Sequence, residues 1–469
     1  MLRDTGSRLL ILIALFFALF TLSPFWVLTG IDYSIFNIHR IAEICLISGA
    51  LLTLLLSRRL QHQWTDVFGS LPELGRLGII LFFGMGVAST LSSKLPRYAF
   101  LETGLFALLF FLTLIIATEV NHRKESITSK LIAILFFAIA TYSVIFHVNV
   151  LFPFSNNTFS PGLSNVRQLA QLQAWTLPLV SLPLFFGSKL NTVYRYLIHL
   201  AAGLWWSIAF FNSAKGLAIS LIVSGLLLAL LLSGKQFRLW ISIQGKVLLL
   251  GLGFYLCFSL ISNESSYLTH IGDSVNVRAI LWHEAFAYII DSPILGVGPI
   301  HYANHYNGLG AHPHNSLLQI AAEWGLPAAL IMLSLFFWGF VSWIRKCMTS
   351  ATPIEIALTY SLLCGAIYSL VSGTIVMPIS QVTMCLVVGL MLGMHQKCSV
   401  NARLSQPKNK PQWLLVAAVL LILIRFTSVL FPEVLHLSRD EFVWIVTHSE
   451  NGHTTLHPRF WQQGWISRP

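Results

Sequence analysis

Charge is what this sequence has least of. Only 10% of its 469 residues are Asp, Glu, Lys or Arg, against roughly a quarter in a soluble domain. With 55% apolar residues and a mean hydropathy of +0.73, a water-soluble globular fold is excluded. Acidic residues are scarcer than basic ones, 18 against 29, for a net charge of +11. Most of the basic residues lie in short loops between apolar runs, which is a signature of membrane orientation, and no nucleic-acid partner is expected. Cysteine is sparse as well. Cys45, Cys257, Cys347, Cys364, Cys385 and Cys398 all fall in apolar runs or basic loops, so no disulfide framework is expected. There is no repeat period and no low-complexity tract. The first apolar run, after Arg3 and Arg8, has no clear small-residue cleavage site over its roughly 20 residues and reads as a first span.

What the chain does contain is a succession of apolar runs long enough to cross roughly 30 Å of hydrocarbon. They fall at 9–28, 36–56, 77–93, 98–117, 129–148, 169–186, 194–211, 216–232, 244–262, 324–344, 354–374, 378–396 and 412–431. The pattern predicts an all-α polytopic membrane protein of roughly 12–13 transmembrane helices. Four segments follow: an N-terminal transmembrane bundle 1–262, a polar loop 263–323 between the ninth and tenth spans, C-terminal transmembrane helices 324–431, and a tail 432–469. With the N-terminus in the cytoplasm, 19 of the 29 basic residues lie inside, as the positive-inside rule favours. They include Arg58, Arg59, Arg76, Arg123, Lys189, Arg195, Arg345, Lys346, Lys397, Arg403, Lys408 and Lys410. The 263–323 loop and the aromatic tail are then external. The tail either docks an acceptor or, the reading its tryptophans favour, lies on the membrane surface.

Two external segments carry chemistry. The first contains NNTFSPGLSNVRQ and places Arg167 at the mouth of the sixth span. The second begins with a cap signal at Asp273 and Ser274, followed by NVRAILWHEAFAYII, in which Arg278 and Trp282 share a face at i, i+4 spacing. This suits a helix lying on the membrane surface. The turn SPILGVGP follows, with two glycines but without the other parts of a nucleotide loop. Then come His301 and His305, and the stretch AHPHNSLLQIAAEWGLP. Pro313 pushes His312 out of the helical region, Asn315 is suited to cap SLLQIAAEW, and His314 sits just before that helix start. A helix N-terminus disfavours imidazolium and attracts anions. Lys215, in the short turn FNSAKGLA, lies near the same membrane surface.

If the substrate is a lipid-linked diphosphate sugar, arginine and lysine would stabilise the leaving diphosphate. A histidine would take the proton of the attacking hydroxyl. Arg167, Lys215, Arg278 and His314 supply that set without a metal or other cofactor, with His312 and Asn315 as neighbours that contact substrate. Three competing readings stand beside it. The histidines, with Glu323, could ligate a metal; they could serve only as caps and hydrogen-bonding groups; and Lys215 could contact lipid headgroups. A transporter is disfavoured by the near absence of charge in the spans.

At HPHNSLLQIAAEWGLP the sequence resembles the O-antigen ligase superfamily, which includes O-antigen polymerases and bacterial protein O-oligosaccharyltransferases. These families show a His-Asn pair, nine residues and a glycine, matched by His314, Asn315 and Gly325; Ala328 stands where a second glycine is usual. The similarity extends to SPILGVGP, the Arg278–Trp282 pair, NVRQ and SAKG, where Lys215 replaces the usual arginine, and covers about residues 150–390. The resemblance implies a GT-C-like, inverting, metal-independent glycosyltransferase of the bacterial inner membrane with its site on the periplasmic face. The donor would be an undecaprenyl-diphosphate-linked glycan. The acceptor would be lipid A core or an exported, pilin-like protein, or, for a polymerase, another lipid-linked chain. It assigns His314 as base and Arg167, Lys215 and Arg278 as diphosphate contacts. A lipid-linked sugar flippase is the alternative from another class.

Overall fold

The computed structural model describes residues 5–29, 34–154, 160–185, 191–262, 273–304, 307, 309–395, 412–448, 458–462 and 464. Arg3, Lys189, His305, Lys397, Cys398, Arg403, Lys408 and Lys410 lie outside the described residues. Fifteen α-helices run through the described chain, with no strand among the described residues. The N-terminal half holds α1 (Thr5–Leu22), α2 (Ile35–Leu56), α3 (Arg58–Gly69), α4 (Glu73–Ser92), α5 (Pro96–Leu151), α6 (Val166–Thr176), α7 (Thr192–Asn212), α8 (Lys215–Leu231) and α9 (Lys235–Ser262). After these come α10 (Asp273–Asp291), α11 (Ser316–Trp324), α12 (Leu326–Cys347), α13 (Pro353–Ser369), α14 (Pro378–His395) and α15 (Gln412–His448). Nine segments among the described residues are long and apolar enough to cross a membrane. The protein is an all-α polytopic membrane protein. Helix α5 contains two of the nine, Pro96–Arg123 and Ser126–Leu151, separated where Arg123 leaves helical geometry at φ −132°. Large exposed side chains on the bundle's flanks are apolar, Leu230, Leu260 and Ile424 among them, which suits lipid as solvent.

Two elements depart from the sequence reading. The expected sixth span, 169–186, is not one helix: α6 ends at Thr176, turns follow, and a short 3-10 turn occupies Leu182–Phe185. Pro178 and Pro183 explain the break, since each lacks the N–H a helix needs. Gln168 to Thr176 is buried throughout, packed by α8, α13 and α14. Gln171 Nε2 donates to Ser372 Oγ at 2.9 Å and Gln173 Nε2 to the Trp205 carbonyl at 3.0 Å. Irregular backbone at this depth is tolerated because protein, not lipid, surrounds it. The second departure is α3, amphipathic and too polar for hydropathy to reveal. It buries Leu60, Trp64 and Val67 on one face, with Trp64 stacked 5.3 Å from Phe111.

Against the later part of α4 and the early parts of α5 and α12, α10 and α11 form a small separate core. Leu281, Ala285 and Ile289 from α10 pack there with Tyr302, Ile320 and Trp324. Trp324 stacks on Phe82 and Phe106, and fits because residue 86 is glycine, where any Cβ would strike the indole. The SPILGVGP turn clasps the end of α11: Val297 N–H donates to the Ala322 carbonyl, Gly298 N–H to Glu323, and Leu326 N–H to Pro293, all at 2.9–3.0 Å. Gly296 and Gly325 have φ of +67° and +91°, and a Cβ on either would collide with backbone across the clasp. The glycines of SPILGVGP and the one nine residues after the His-Asn pair thus meet in a single backbone contact. Gly325→Ala is expected to destabilise the protein by at least ~2 kcal/mol. A thermal melt in detergent indistinguishable from the parent would show that the clasp is not under this constraint.

Candidate active site

The loop from Ala311 to Asn315 is held from both sides. Asn315 caps α11 as expected, its carboxamide oxygen accepting from the Leu317 and Leu318 N–H groups at 3.0 Å each. That leaves only its NH₂ group for a ligand. On the other side, Trp282 Nε1–H donates to the Pro313 carbonyl at 2.9 Å. The i, i+4 pair on α10 therefore faces the histidine loop, with Trp282 as anchor and Arg278 one turn earlier.

His314 adopts φ +52°, a left-handed conformation rare for a side chain of its size. Its backbone N–H donates to His312 Nδ1 at 3.2 Å, and the two rings meet edge to face with centroids 4.2 Å apart. This bond puts the His312 proton on Nε2, which is buried and without a partner among the described residues. The ring fits because Gly373 lies against it. His314 Nε2 lies 3.3 Å from Arg167 Nη1. Since the guanidinium can only donate, the imidazole must accept, which fixes its neutral Nδ1–H tautomer.

Burial holds the His314 pKa down to about 3, with the charges of Arg167 and Arg278 adding to the effect. His312 is lowered well below its ordinary value, first by burial and then by His314, Arg459 and Arg167. Arg278 is also lowered, by burial and by its proximity to Arg167. Neither Arg167 nor Arg278 takes part in an ion pair among the described residues. Two like charges thus converge on one neutral imidazole without a counter-ion there, an arrangement suited to an anion. The neutrality of His314 owes more to burial and the arginines than to the helix end from which the sequence reading inferred it.

Lys215 is exposed at the start of α8, after a sharp turn at Ser213 with φ +46°. The next residue, Gly216, packs on Tyr368, which lies within electrostatic reach of Arg167 and Arg278. Lys215 therefore borders the site, but no hydrogen bond or ion pair joins it to the other site residues among the described residues. His301 belongs elsewhere. Its Nε2 accepts from the Leu95 N–H at 3.0 Å and its Nδ1 lies 2.9 Å from the Pro299 carbonyl, tying the 298–303 turn to the start of α5. Among the described residues no group of three His, Cys, Asp or Glu is placed to hold a metal.

Residues 197–333 match the family described as O-antigen ligase. This part of the chain is O-antigen-ligase-like. The matched region contains Lys215, Arg278, His312, His314 and Asn315, and it agrees with the similarity read from the HPHN stretch. It supports a membrane glycosyltransferase function of the O-antigen ligase or polymerase type. Arg167 lies outside the matched region and joins the site through the fold. No curated protein matches the chain.

Sequence reasoning missed the floor of the site. Arg459, beyond the last span, enters the protein and is 1% exposed. Its Nη1 donates to Glu323 Oε1 at 2.8 Å and to the Ala311 carbonyl at 3.1 Å; its Nη2 donates to Glu323 Oε2 at 2.8 Å and Glu102 Oε2 at 2.7 Å. Burial opposes the charge of Arg459, but the two carboxylates outweigh it and raise its pKa. Trp461 beside it is fully buried among protein side chains. For these residues the membrane-surface reading of the tail is replaced by insertion into the bundle.

Because His314 is depressed from 6.5 to about 3, the unfolded chain binds more protons between those pH values. Its contribution to stability is present above about 6.5 and lost as pH falls toward 3. His314→Asn should therefore flatten the acid decline of the melting temperature between pH 7 and pH 4. An unchanged slope would contradict a buried neutral imidazole.

Proposed function

We propose that this protein transfers a preassembled glycan from undecaprenyl diphosphate to an acceptor hydroxyl on the periplasmic face of a bacterial inner membrane, by inversion and without a metal. The observation that carries the proposal is the pair of arginines, without carboxylate partners among the described residues, converging on neutral His314. Arg167 and Arg278 bind the diphosphate, with Lys215 at the margin. The acceptor oxygen attacks the anomeric carbon while its proton passes to His314 Nε2. The bond from that carbon to the diphosphate oxygen breaks, and its electron pair leaves with the diphosphate, where the arginines stabilise it. Loss of the proton to solvent restores the neutral imidazole.

The Arg167 hydrogen bond imposes an order on these events. The Nε2 lone pair accepts from Arg167, so an acceptor hydroxyl reaches the base only once Arg167 turns away. Diphosphate draws Arg167 away and its negative charge opposes the two cations that hold His314 at low pKa. Donor binding therefore both frees and strengthens the base. The aromatic tail 432–469 and the 263–323 loop are the external parts in this orientation, and the acceptor is lipid A core or an exported protein. An O-antigen polymerase, which uses a second lipid-linked chain, shares the same donor chemistry.

Transfer assayed in purified protein tests the residues. His314→Ala should lower turnover by about 10²–10⁴-fold with membrane insertion intact, and Arg278→Ala should lower kcat/KM for the donor on the order of 100-fold. A fully active His314→Ala protein removes the base. Transfer should also survive EDTA; its arrest, with recovery on adding a divalent ion, would replace this mechanism with a metal-dependent one. Deleting the gene and finding which molecule loses its glycan, lipopolysaccharide or an exported protein, identifies the acceptor, while loss of polymer length alone favours the polymerase.

A further inference from the structure

We infer that Arg459 is a positioning residue for the histidine loop, so that residues 458–462 form a working part of the site on which the proposed transfer depends. The inference rests on that reading of His314, and on a geometry that no single helix could provide. One guanidinium joins Glu102 of α5, Glu323 of α11 and the carbonyl of Ala311, the residue just before His312. Ala311 is the first residue of the loop whose other fixed points are the Trp282 bond to Pro313 and the Asn315 cap. Without Arg459, the N-terminal side of the loop loses its side-chain anchor.

The remaining lone pairs of both carboxylates face the same surroundings. Glu102 also accepts from the Ile300 N–H at 2.8 Å and from Gln319 Nε2 at 3.2 Å, and Glu323 accepts from the Tyr302 N–H at 3.0 Å. The node thus fixes three segments relative to one another: the 300–302 turn, α11, and the start of the histidine loop. The segment carrying Arg459 is itself held in place. Arg40 of α2, which also pairs with Glu43 and donates to Gln381 Oε1 at 2.6 Å, donates through Nε to the Phe460 carbonyl at 3.0 Å and lies over the Phe460 ring. The Gln462 N–H donates to Asn37 Oδ1 at 2.8 Å. A surface tail would not be gripped by α2, α5, α11 and the histidine loop together.

Arg459 does not touch Arg167 or Arg278, so its effect should fall on the catalytic step and spare donor capture. Two nitrogens spread in a planar fork, Nη1 and Nη2, reach both carboxylates and the Ala311 carbonyl at once, and the single nitrogen of lysine cannot reproduce that reach. The test uses the full chain, purified in detergent and assayed only on monodisperse protein below its melting temperature. Arg459→Ala should lower kcat at least tenfold while the donor KM stays within about twofold. Added guanidinium, but not ammonium at the same concentration, should restore part of the loss by refilling the space between Glu102 and Glu323. Arg459→Lys keeps the charge and guards against misfolding of the alanine protein; it should fold and still lose kcat.

Full kcat in a folded Arg459→Lys or Arg459→Ala protein would overturn the inference, as would a loss confined to donor KM. His314→Ala, measured alongside, separates the two proposals. If it is inactive while the Arg459 proteins are unimpaired, the positioning role alone fails. If it is fully active, the assignment of the site itself is wrong.

Discussion

The rest of the active-site end depends on a buried arginine held between two carboxylates. Arg459, Glu102 and Glu323 come from residues hundreds of positions apart and carry more negative than positive formal charge. Moving such a cluster out of water is costly, and attraction offsets that cost only when geometry is good and the leftover lone pairs are satisfied. Here backbone N–H groups of residues 300 and 302 and the Gln319 amide complete the shell. Removing one member of a buried ion pair costs about 3–5 kcal/mol, because the others remain charged and alone. The loop bearing the histidines leans on this node through the Ala311 carbonyl.

A contrast between arginines separates framework from site. Arg459 and Arg40 are saturated by carboxylates and carbonyls. Arg167 and Arg278 are half-buried or exposed and repel each other across a neutral imidazole. The first kind stabilises the fold. The second kind is left for a ligand whose charge is negative, and the positive φ of His314 marks the same place by backbone strain.

The span pattern and the local geometry of the histidine loop were legible because each rests on local information, while the grouping of Arg167 with Arg278, His312 and His314 was read from their shared side of the membrane and the family resemblance. Apolar runs reveal membrane helices, a proline and an asparagine reveal a capped helix start, and i, i+4 spacing places Trp282 beneath Arg278. What escaped is non-local. Nothing near Arg459 in the sequence distinguishes it from an ordinary surface cation, since its partners are Glu102 and Glu323, each of which looks isolated on its own helix. The break after Thr176 was hidden because hydropathy averages across Pro178 and Pro183, and α3 because half of its surface is polar. The glycines at 296 and 325 invited a motif reading, whereas their shared reason is a close approach of two backbones.

The position of Arg459 along the chain also bears on how the protein matures. Both carboxylates that hold it lie earlier in the chain, so Glu102 and Glu323 are synthesised before the guanidinium that joins them. Until residues 458–462 dock, those two carboxylates lack the cation that pairs with both. Docking of residues 458–462 is the step that gives the Ala311 carbonyl its arginine donor. A chain in which that segment has not docked would keep the Trp282 and Asn315 contacts of its histidine loop and lack the one at Ala311.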